Sequence, residues 1–314
     1  MAEILTLTNF ENATLDQWQY ALQQIYDKKN EKRQPSDMWL RTVSDASKVG
    51  EAARKGDAYE VMKYLVHTVS WVITTTNKLM THQYNGLPSL QTYDGRSHTS
   101  LTQIILAKYP MICPVCQEKQ CHCPIKRKDI EEADPIKRQQ IKAANKETRR
   151  QKLLARQLEL ETDTNSPKSV ADIAAMLDEI YKQVHYGESI QNITFHFLEE
   201  VGEVAWCLTS LDEGNQINPS DETPLNIQLA DEIADVMAWS LAIVGKLANS
   251  ATQTNRLMSV FHPIAQSTTE DKEISKKQKH NLLAQWLWSS FYDRDKLKIC
   301  CPLCKEEPCI CGKR

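Results

Sequence analysis

Two segments in the later part of the chain, FLEEVGEVAW and LADEIADVMAW, hold the acidic residues best suited to chemistry: Glu199, Glu200, Glu203, Glu232 and Asp235. Glu200 and Glu203 are three residues apart, as are Glu232 and Asp235, which puts the members of each pair about 60° apart on one helix face. Glu199 lies about 40° from Glu203. Their apolar neighbours make both helices core elements, so the carboxylates lie beside buried surface, where like charges and lost hydration are costly. Mg²⁺ or Mn²⁺ would relieve this cost, and such ions commonly bridge nucleotide phosphates. The alternative is a pair of amphipathic helices whose acids face solvent and pair with Lys182 or Lys246.

Eight of the ten cysteines form two blocks with the shared spacing C-P-x-C-x4-C-x-C: Cys113, Cys116, Cys121 and Cys123, then Cys301, Cys304, Cys309 and Cys311. Four thiolates on short turns suit tetrahedral Zn²⁺, so we predict two structural zinc sites. Two disulfides in each block would require an oxidising compartment. Catalytic zinc is disfavoured because four protein ligands leave no position for water.

Composition narrows the class of protein. The 314 residues carry a net charge of -3, so the whole chain is not an electrostatic binder of nucleic acid or membranes. We see no transmembrane helix and no secretory signal, and we expect a cytoplasmic protein without a membrane partner.

Few glycines and prolines and a helical hydrophobic period predict an all-α fold. The period is strongest in six segments: Leu15–Lys28, Met38–Arg54, Tyr59–Met80, Asp178–Tyr186, Asn192–Leu211 and Leu225–Leu247. A polar, proline-containing connection, NPSDETP (218–224), separates the last two. The polar stretch Ser267–His280 is expected to be an exposed insertion.

The chain also reads as a tandem duplication. LDQWQYALQQIYDKK resembles VADIAAMLDEIYKQV, a VGE motif occurs in both copies, and each copy ends in a cysteine block. We therefore divide the chain into a first half (1–123), a connector (124–168) and a second half (169–314).

The connector is basic: Lys126–Arg156 has 11 Lys and Arg against 5 Asp and Glu. It is interpreted as a solvated, largely helical linker, with binding of RNA, DNA or another phosphate-rich partner as the less favoured alternative.

Glu200-x-x-Glu203, followed after 28 residues by Glu232-x-x-Asp235, resembles the ExxE…ExxD signature of the MazG-like, all-α nucleoside triphosphate pyrophosphohydrolases. The similarity covers about Val170–Lys246. It extends to the second cysteine block, since some members of the family end in a similar cysteine tail. It implies a helical bundle, assembled as a homodimer or tetramer, that hydrolyses an NTP or dNTP to the monophosphate and pyrophosphate.

The resemblance also implies residue roles. Glu200, Glu203, Glu232 and Asp235 would hold Mg²⁺ on the triphosphate, with Glu199 as the general base. Lys246 would neutralise phosphate charge or simply end its helix, and His196 would line the pocket or have a structural role. Trp239 stands where family members often carry a tyrosine near phosphate, and core packing is its other interpretation.

The first half lacks the acids. Alignment on VGE places Ser47, Lys48 and Glu51 opposite Glu199, Glu200 and Glu203, and alignment on Trp71 and Trp239 places Tyr64 and His67 opposite Glu232 and Asp235. We expect this degenerate half to bind no Mg²⁺ and to supply packing surface, or else a recognition surface around Lys48, Arg54 and Lys55. The competing function for the whole chain is a zinc-stapled adaptor that binds nucleic acid or protein through the connector.

Overall fold

The computed structural model describes residues 10–81, 89–91, 95–123, 135–220, 222–248, 276–293, 298–306, 308–309 and 311. Within these ranges the chain is mostly helical, which confirms the predicted helical class. The helices in chain order are α1 (Leu15–Asn30), α2 (Pro35–Lys55), α3 (Ala58–Thr81), α4 (Leu101–Lys108), α5 (Pro135–Thr162), α6 (Val170–Tyr186), α7 (Ile190–Asp212), α8 (Leu225–Ala248) and α9 (Lys276–Phe291). A 3₁₀ turn, Phe10–Asn12, precedes α1, and β1 (Tyr292–Asp293) pairs antiparallel with β2 (Lys298–Ile299).

The first long helix of each half begins with the same cap. The Thr14 hydroxyl accepts a hydrogen bond from the Gln17 amide at 3.1 Å, and the Gln17 side chain accepts one from the Thr14 amide at 2.8 Å. Ser169 and Asp172 repeat both bonds, at 3.0 and 3.2 Å. These bonds satisfy amides that the first turn of a helix leaves unpaired. Thr14 and Ser169 also face each other in an isolated antiparallel bridge, so the halves meet at these two caps.

A bundle of α2, α3, α7 and α8 forms the core, with two helices from each half. Helix α2 packs against both α3 and α7, α7 packs against α8, and α3 contacts α8. The Trp39 indole donates a hydrogen bond to the Val201 carbonyl at 3.0 Å across the α2–α7 contact. Gly50 permits this contact, because a Cβ there would lie 3.0 Å from Leu198 Cδ1. One hydrophobic cluster spans both halves, so neither half has a complete core by itself.

The remaining helices pack around the bundle in related ways. Helix α1 packs on α3 and α6 packs on α8, while α4 contacts α8 and α9 contacts α3, α6 and α8. The six predicted helices are present, and α6 starts at Val170 rather than Asp178 because Ser169 caps it there. Helices α4 and α9 were not predicted. Most of the expected insertion, Ser267–His280, lies outside the described residues, and its last five residues start α9.

Each cysteine block is attached to the first long helix of the opposite half. The Cys121 amide donates to the Ile180 carbonyl at 2.6 Å, and the Cys309 amide donates to the Ile25 carbonyl at 2.7 Å. These are the third cysteines of the two blocks, and Ile25 and Ile180 occupy the same place in the aligned helices. The two halves are therefore joined reciprocally, each through its own cysteine block.

Candidate active site and cysteine clusters

Three predicted acids converge between α7 and α8. The helices run in opposite directions, since Glu200 contacts Trp239 whereas Glu203 lies near Glu232. Carboxylate oxygens of Glu200, Glu203 and Glu232 all lie within 4.8 Å of one another. We call these three residues the acidic cluster. Glu200 and Glu203 of α7 thus face Glu232 of α8.

The acidic cluster is partly removed from water. Glu232 is only 9% exposed, and its Oε1 accepts a hydrogen bond from the Gln228 amide group at 3.2 Å. Burial, followed by repulsion from Asp235, raises the pKa of Glu200 to about 8. Burial also raises the pKa of Glu232 to about 8, with Asp235 and Glu203 adding to the shift and Lys108 opposing it. The site therefore favours protons or a cation at these oxygens.

Asp235, predicted as the fourth metal ligand, lies beside the acidic cluster but is held by the other half of the chain. One of its carboxylate oxygens accepts a short hydrogen bond from the Tyr109 hydroxyl, and the other contacts the Lys108 ammonium. Lys108 also donates to the Asp231 carbonyl at 3.2 Å. The structure thus brings together three of the four predicted ligands and gives Asp235 different partners.

Lys108 and Tyr109 were missed by sequence reasoning. They form the end of α4, immediately before the first cysteine block, in the repeated segment LAKYPMICPVC. Burial by itself would lower the pKa of Lys108, but Asp235, Asp231 and Glu232 outweigh it and raise the pKa well above its usual value. Burial and the neighbouring Asp235 also raise the pKa of Tyr109. The raised pKa values favour the protonated form of both groups, which makes Lys108 a cation beside the acidic cluster.

Glu199, the predicted general base, lies at the rim. Its side chain is 66% exposed and contacts His196 Nδ1 at 2.8 Å. It is not part of the acidic cluster. The predicted pocket residue His196 in turn stacks on Trp239, with ring centroids 4.9 Å apart. Glu199 thus contacts His196, which belongs to the aromatic surface beside the acidic cluster.

That aromatic surface runs from the first half to the rim. Successive ring contacts join Tyr109, Tyr181, His185, Trp239 and His196, with centroids 4.9–6.0 Å apart. The Trp239 indole donates to Glu200 at 3.2 Å, so this residue links the aromatic row to the acidic cluster and is more than core packing. Burial lowers the pKa of His185 to about 4, and the charge of Lys246 contributes to that shift. Lys246 follows Trp239 by seven positions, two turns further along α8.

The corresponding place in the first half contains different chemistry. Lys48 contacts Asp45 at 2.9 Å and lies 5.1 Å from the centroid of the Tyr64 ring. Tyr64 meets His67 edge to face, and burial lowers the pKa of His67. Glu51, the retained acid, is paired with Lys55 at 2.6 Å. Three of the positions aligned with the metal ligands, Lys48, Tyr64 and His67, thus lie together and present a cation and rings.

Both cysteine blocks form compact tetrads. All four sulfur atoms of each block lie within 4.8 Å of one another, and individual Sγ–Sγ distances are 3.5–3.6 Å in the first block and 3.3–3.9 Å in the second. Sulfurs bound to one tetrahedral Zn²⁺ are about 3.8 Å apart, whereas a disulfide brings them to about 2.05 Å. The ten cysteines are free thiols, so the structure favours the predicted zinc-type tetrads over disulfides.

The two tetrads also share a backbone turn. The Cys113 amide donates to the Glu118 carbonyl, and Gln117 has a φ of 62°. The Cys301 amide donates to the Glu306 carbonyl, and Lys305 has a φ of 58°. His122 and Cys300 lie outside the sulfur tetrads, and burial raises the pKa of Cys207 to about 12, as suits a core thiol.

The structure describes the basic connector from Pro135 onward. Lys126–Lys128 lie outside the described residues, and the described basic side chains include Arg156, which pairs with Glu159. No described helix is long and apolar enough to cross a membrane.

Comparisons with protein-family models, curated proteins and solved structures find no match. The comparisons therefore supply no reaction for this site.

Proposed function

We propose that this chain is a metal-dependent nucleotide pyrophosphohydrolase that cleaves an NTP or dNTP at the α–β phosphate junction. The products are a nucleoside monophosphate and pyrophosphate, with one water consumed. The observation that carries this proposal is the convergence of Glu200, Glu203 and Glu232 from two antiparallel core helices. The spacing of these acids and its resemblance to MazG-like enzymes supply the reaction class.

The acidic cluster fits Mg²⁺ or Mn²⁺ by the chemistry of its donors. Carboxylate oxygens are the ligands that these hard cations take, and they are near enough to one another to share an ion. Burial is the first cause of the raised pKa values of Glu200 and Glu232, and a bound cation would stabilise their charged forms. When bound, the ion would neutralise phosphate charge and polarise the attacking water.

The surrounding residues have separate roles in this proposal. Glu199 is exposed and acidic, so it can accept a proton from water at the rim, and its contact with His196 orients it. Trp239 and His196 offer stacked ring faces beside the acids, which suits a nucleobase. Lys246, on the same helix as Trp239, would supply positive charge toward bound phosphate.

The first half, in this proposal, is a duplicated copy that has lost the reaction. Matched caps, matched cysteine turns and the reciprocal bonds to Ile25 and Ile180 support a shared origin. Its helices α2 and α3 supply the packing surface that α7 and α8 need. We also propose that each tetrad binds one Zn²⁺, which metal analysis would show as about two zinc ions per chain.

The test is a panel of NTPs and dNTPs scored for pyrophosphate with added Mg²⁺ or Mn²⁺. Wild type should release pyrophosphate, and Glu203→Gln should lower kcat/KM by about 100-fold or more because a charged ligand becomes neutral. Glu51→Gln is the matched control, since Glu51 is the aligned acid of the first half, and it should stay within about twofold of wild type. Thermal unfolding should show that both variants fold.

Two results would contradict the proposal. Wild type that releases pyrophosphate from no nucleotide would exclude the reaction. Equal losses in Glu203→Gln and Glu51→Gln would exclude the acidic cluster as the place where it occurs.

A further inference from the structure

We propose that the nucleotide site of the second half is completed by the first half, with Lys108 as a phosphate-binding residue and Tyr109 as the residue that positions it. This inference rests on the proposed function and adds residues that the acidic motifs do not contain. It begins from the contacts of Asp235, whose two carboxylate oxygens are held by Tyr109 and Lys108.

Lys108 has capacity for a further partner. An ammonium group carries three N–H donors. Among the described residues, those of Lys108 reach Asp235 and the Asp231 carbonyl, which leaves one donor. A partly buried cation with a spare donor next to three carboxylates suits an anion that arrives together with a divalent ion, as a nucleotide triphosphate does.

The position of Lys108 is fixed from two directions. Its side chain is 17% exposed and that of Asp235 is 15% exposed, so the pair is shielded from bulk water. Tyr109 follows directly in the chain, donates to the same Asp235 and meets Tyr181 edge to face at 6.0 Å. A lysine held in this way loses little side-chain freedom when phosphate binds, which strengthens binding.

The first cysteine tetrad supports the same arrangement. Cys113 follows Tyr109 by four positions, and the tetrad is bonded to Ile180, the residue before Tyr181. The tetrad and Tyr181 therefore hold the end of α4 against α8. The place beside Tyr26 that corresponds to Tyr109 beside Tyr181 is taken by Phe291, at 6.2 Å and also edge to face. Phe291 has no hydroxyl, which fits a first half with no acid to hold.

The test compares wild type with Lys108→Met, Lys108→Arg, Tyr109→Phe and the surface control Lys63→Met in the full chain. Lys63 pairs with Glu60 in the first half and is not a member of the acidic cluster. The substrate is the nucleotide that wild type hydrolyses best, and kcat and KM are measured separately. Lys108→Met should raise KM about 10- to 100-fold, the effect of losing a charge-assisted hydrogen bond. Lys108→Arg should recover part of this loss, Tyr109→Phe should raise KM about threefold to tenfold, and Lys63→Met should match wild type.

The KM of Lys108→Met distinguishes phosphate binding from simple charge balance, and direct Mn²⁺ binding without nucleotide shows whether the acidic cluster is intact. Removing the cation from beside the acidic cluster should leave Mn²⁺ affinity equal or higher in Lys108→Met. If Lys108 only balanced Asp235, the variant would bind Mn²⁺ in the same way but keep the wild-type KM, which would overturn the inference. If Lys108→Met does not fold, Tyr109→Phe decides, because an unchanged KM there overturns the inference too. Wild type that hydrolyses no nucleotide would instead remove the proposed function, and the role of Lys108 with it.

Discussion

The aligned helices of the two halves place side chains of opposite charge at corresponding positions. Helices α7 and α8 of the second half bring three carboxylates together, whereas α2 and α3 of the first half bring together Lys48, Tyr64 and His67. In the first half the charge of Lys48 is met locally by Asp45. In the second half the carboxylates face each other and keep raised pKa values. The comparison teaches that the bundle is maintained by its apolar surfaces, while the site residues are free to change.

A second difference concerns what each cysteine tetrad supports. The first tetrad follows Lys108 and Tyr109, which reach Asp235, while the second follows a segment in which Phe291 contacts Tyr26. Each tetrad is joined to the other half by a backbone hydrogen bond. Among the described residues, the segment before the first tetrad contacts Asp235, and no such contact is seen for the second.

The largest expected effect comes from breaking one tetrad at a time. Cys113→Ser and Cys301→Ser should each lose about one zinc per chain and lower Tm by about 5 °C or more, because metal binding contributes to folding free energy. Well below both Tm values, Cys113→Ser should lower kcat/KM about tenfold or more, since Lys108 and Tyr109 lose their support. Cys301→Ser should stay within about threefold of wild type. Zinc analysis, thermal unfolding and pyrophosphate release measure the three quantities.

Equal losses of hydrolysis in the two variants would break the comparison between the tetrads. Cys207→Ser serves as the control for cysteine removal itself, because Cys207 lies in the core outside both tetrads. It should retain about two zinc ions per chain.

A smaller effect should appear in the pH dependence of stability. In the folded chain burial raises the pKa of Glu200 and Glu232 from 4.5 to about 8. Between these values the folded state binds more protons than the unfolded state, so the free energy of unfolding falls as pH rises from 4.5 to about 8. Without added Mg²⁺, Tm should fall by about 5 °C from pH 6 to pH 9, and Mg²⁺ at the higher pH should restore it.

The double variant Glu200→Gln/Glu232→Gln shows how much of the decline comes from the acids of the second half. It should remove most of the decline and the response to Mg²⁺, because amides do not titrate. A decline of the same size in the double variant would place its cause elsewhere in the molecule.

Much of this architecture could be predicted from the sequence, for identifiable reasons. The six long helices have strong apolar periodicity, and the cysteine spacing predicts the tetrads because all the ligands are close in sequence. Glu200, Glu203 and Glu232 were predicted to meet because two three-residue steps on adjacent helices leave few other arrangements. The partners of Asp235 could not be predicted in this way. Lys108 and Tyr109 are more than 120 positions away in sequence and reach Asp235 only because the halves pack together.

The smallest expected effect sharpens the comparison of the two VGE motifs. Gly50 and Gly202 are aligned, but a Cβ at Gly50 would lie 3.0 Å from Leu198 Cδ1, whereas a Cβ at Gly202 would have nothing within 4 Å. Gly202→Ala should therefore raise the free energy of unfolding by about 0.5–1 kcal/mol, the usual gain of alanine over glycine inside a helix. Gly50→Ala should show a smaller gain or a loss, because Leu198 must move. Urea unfolding of both variants measures the difference, and equal gains would mean that α2 and α7 are not held in close contact at this point.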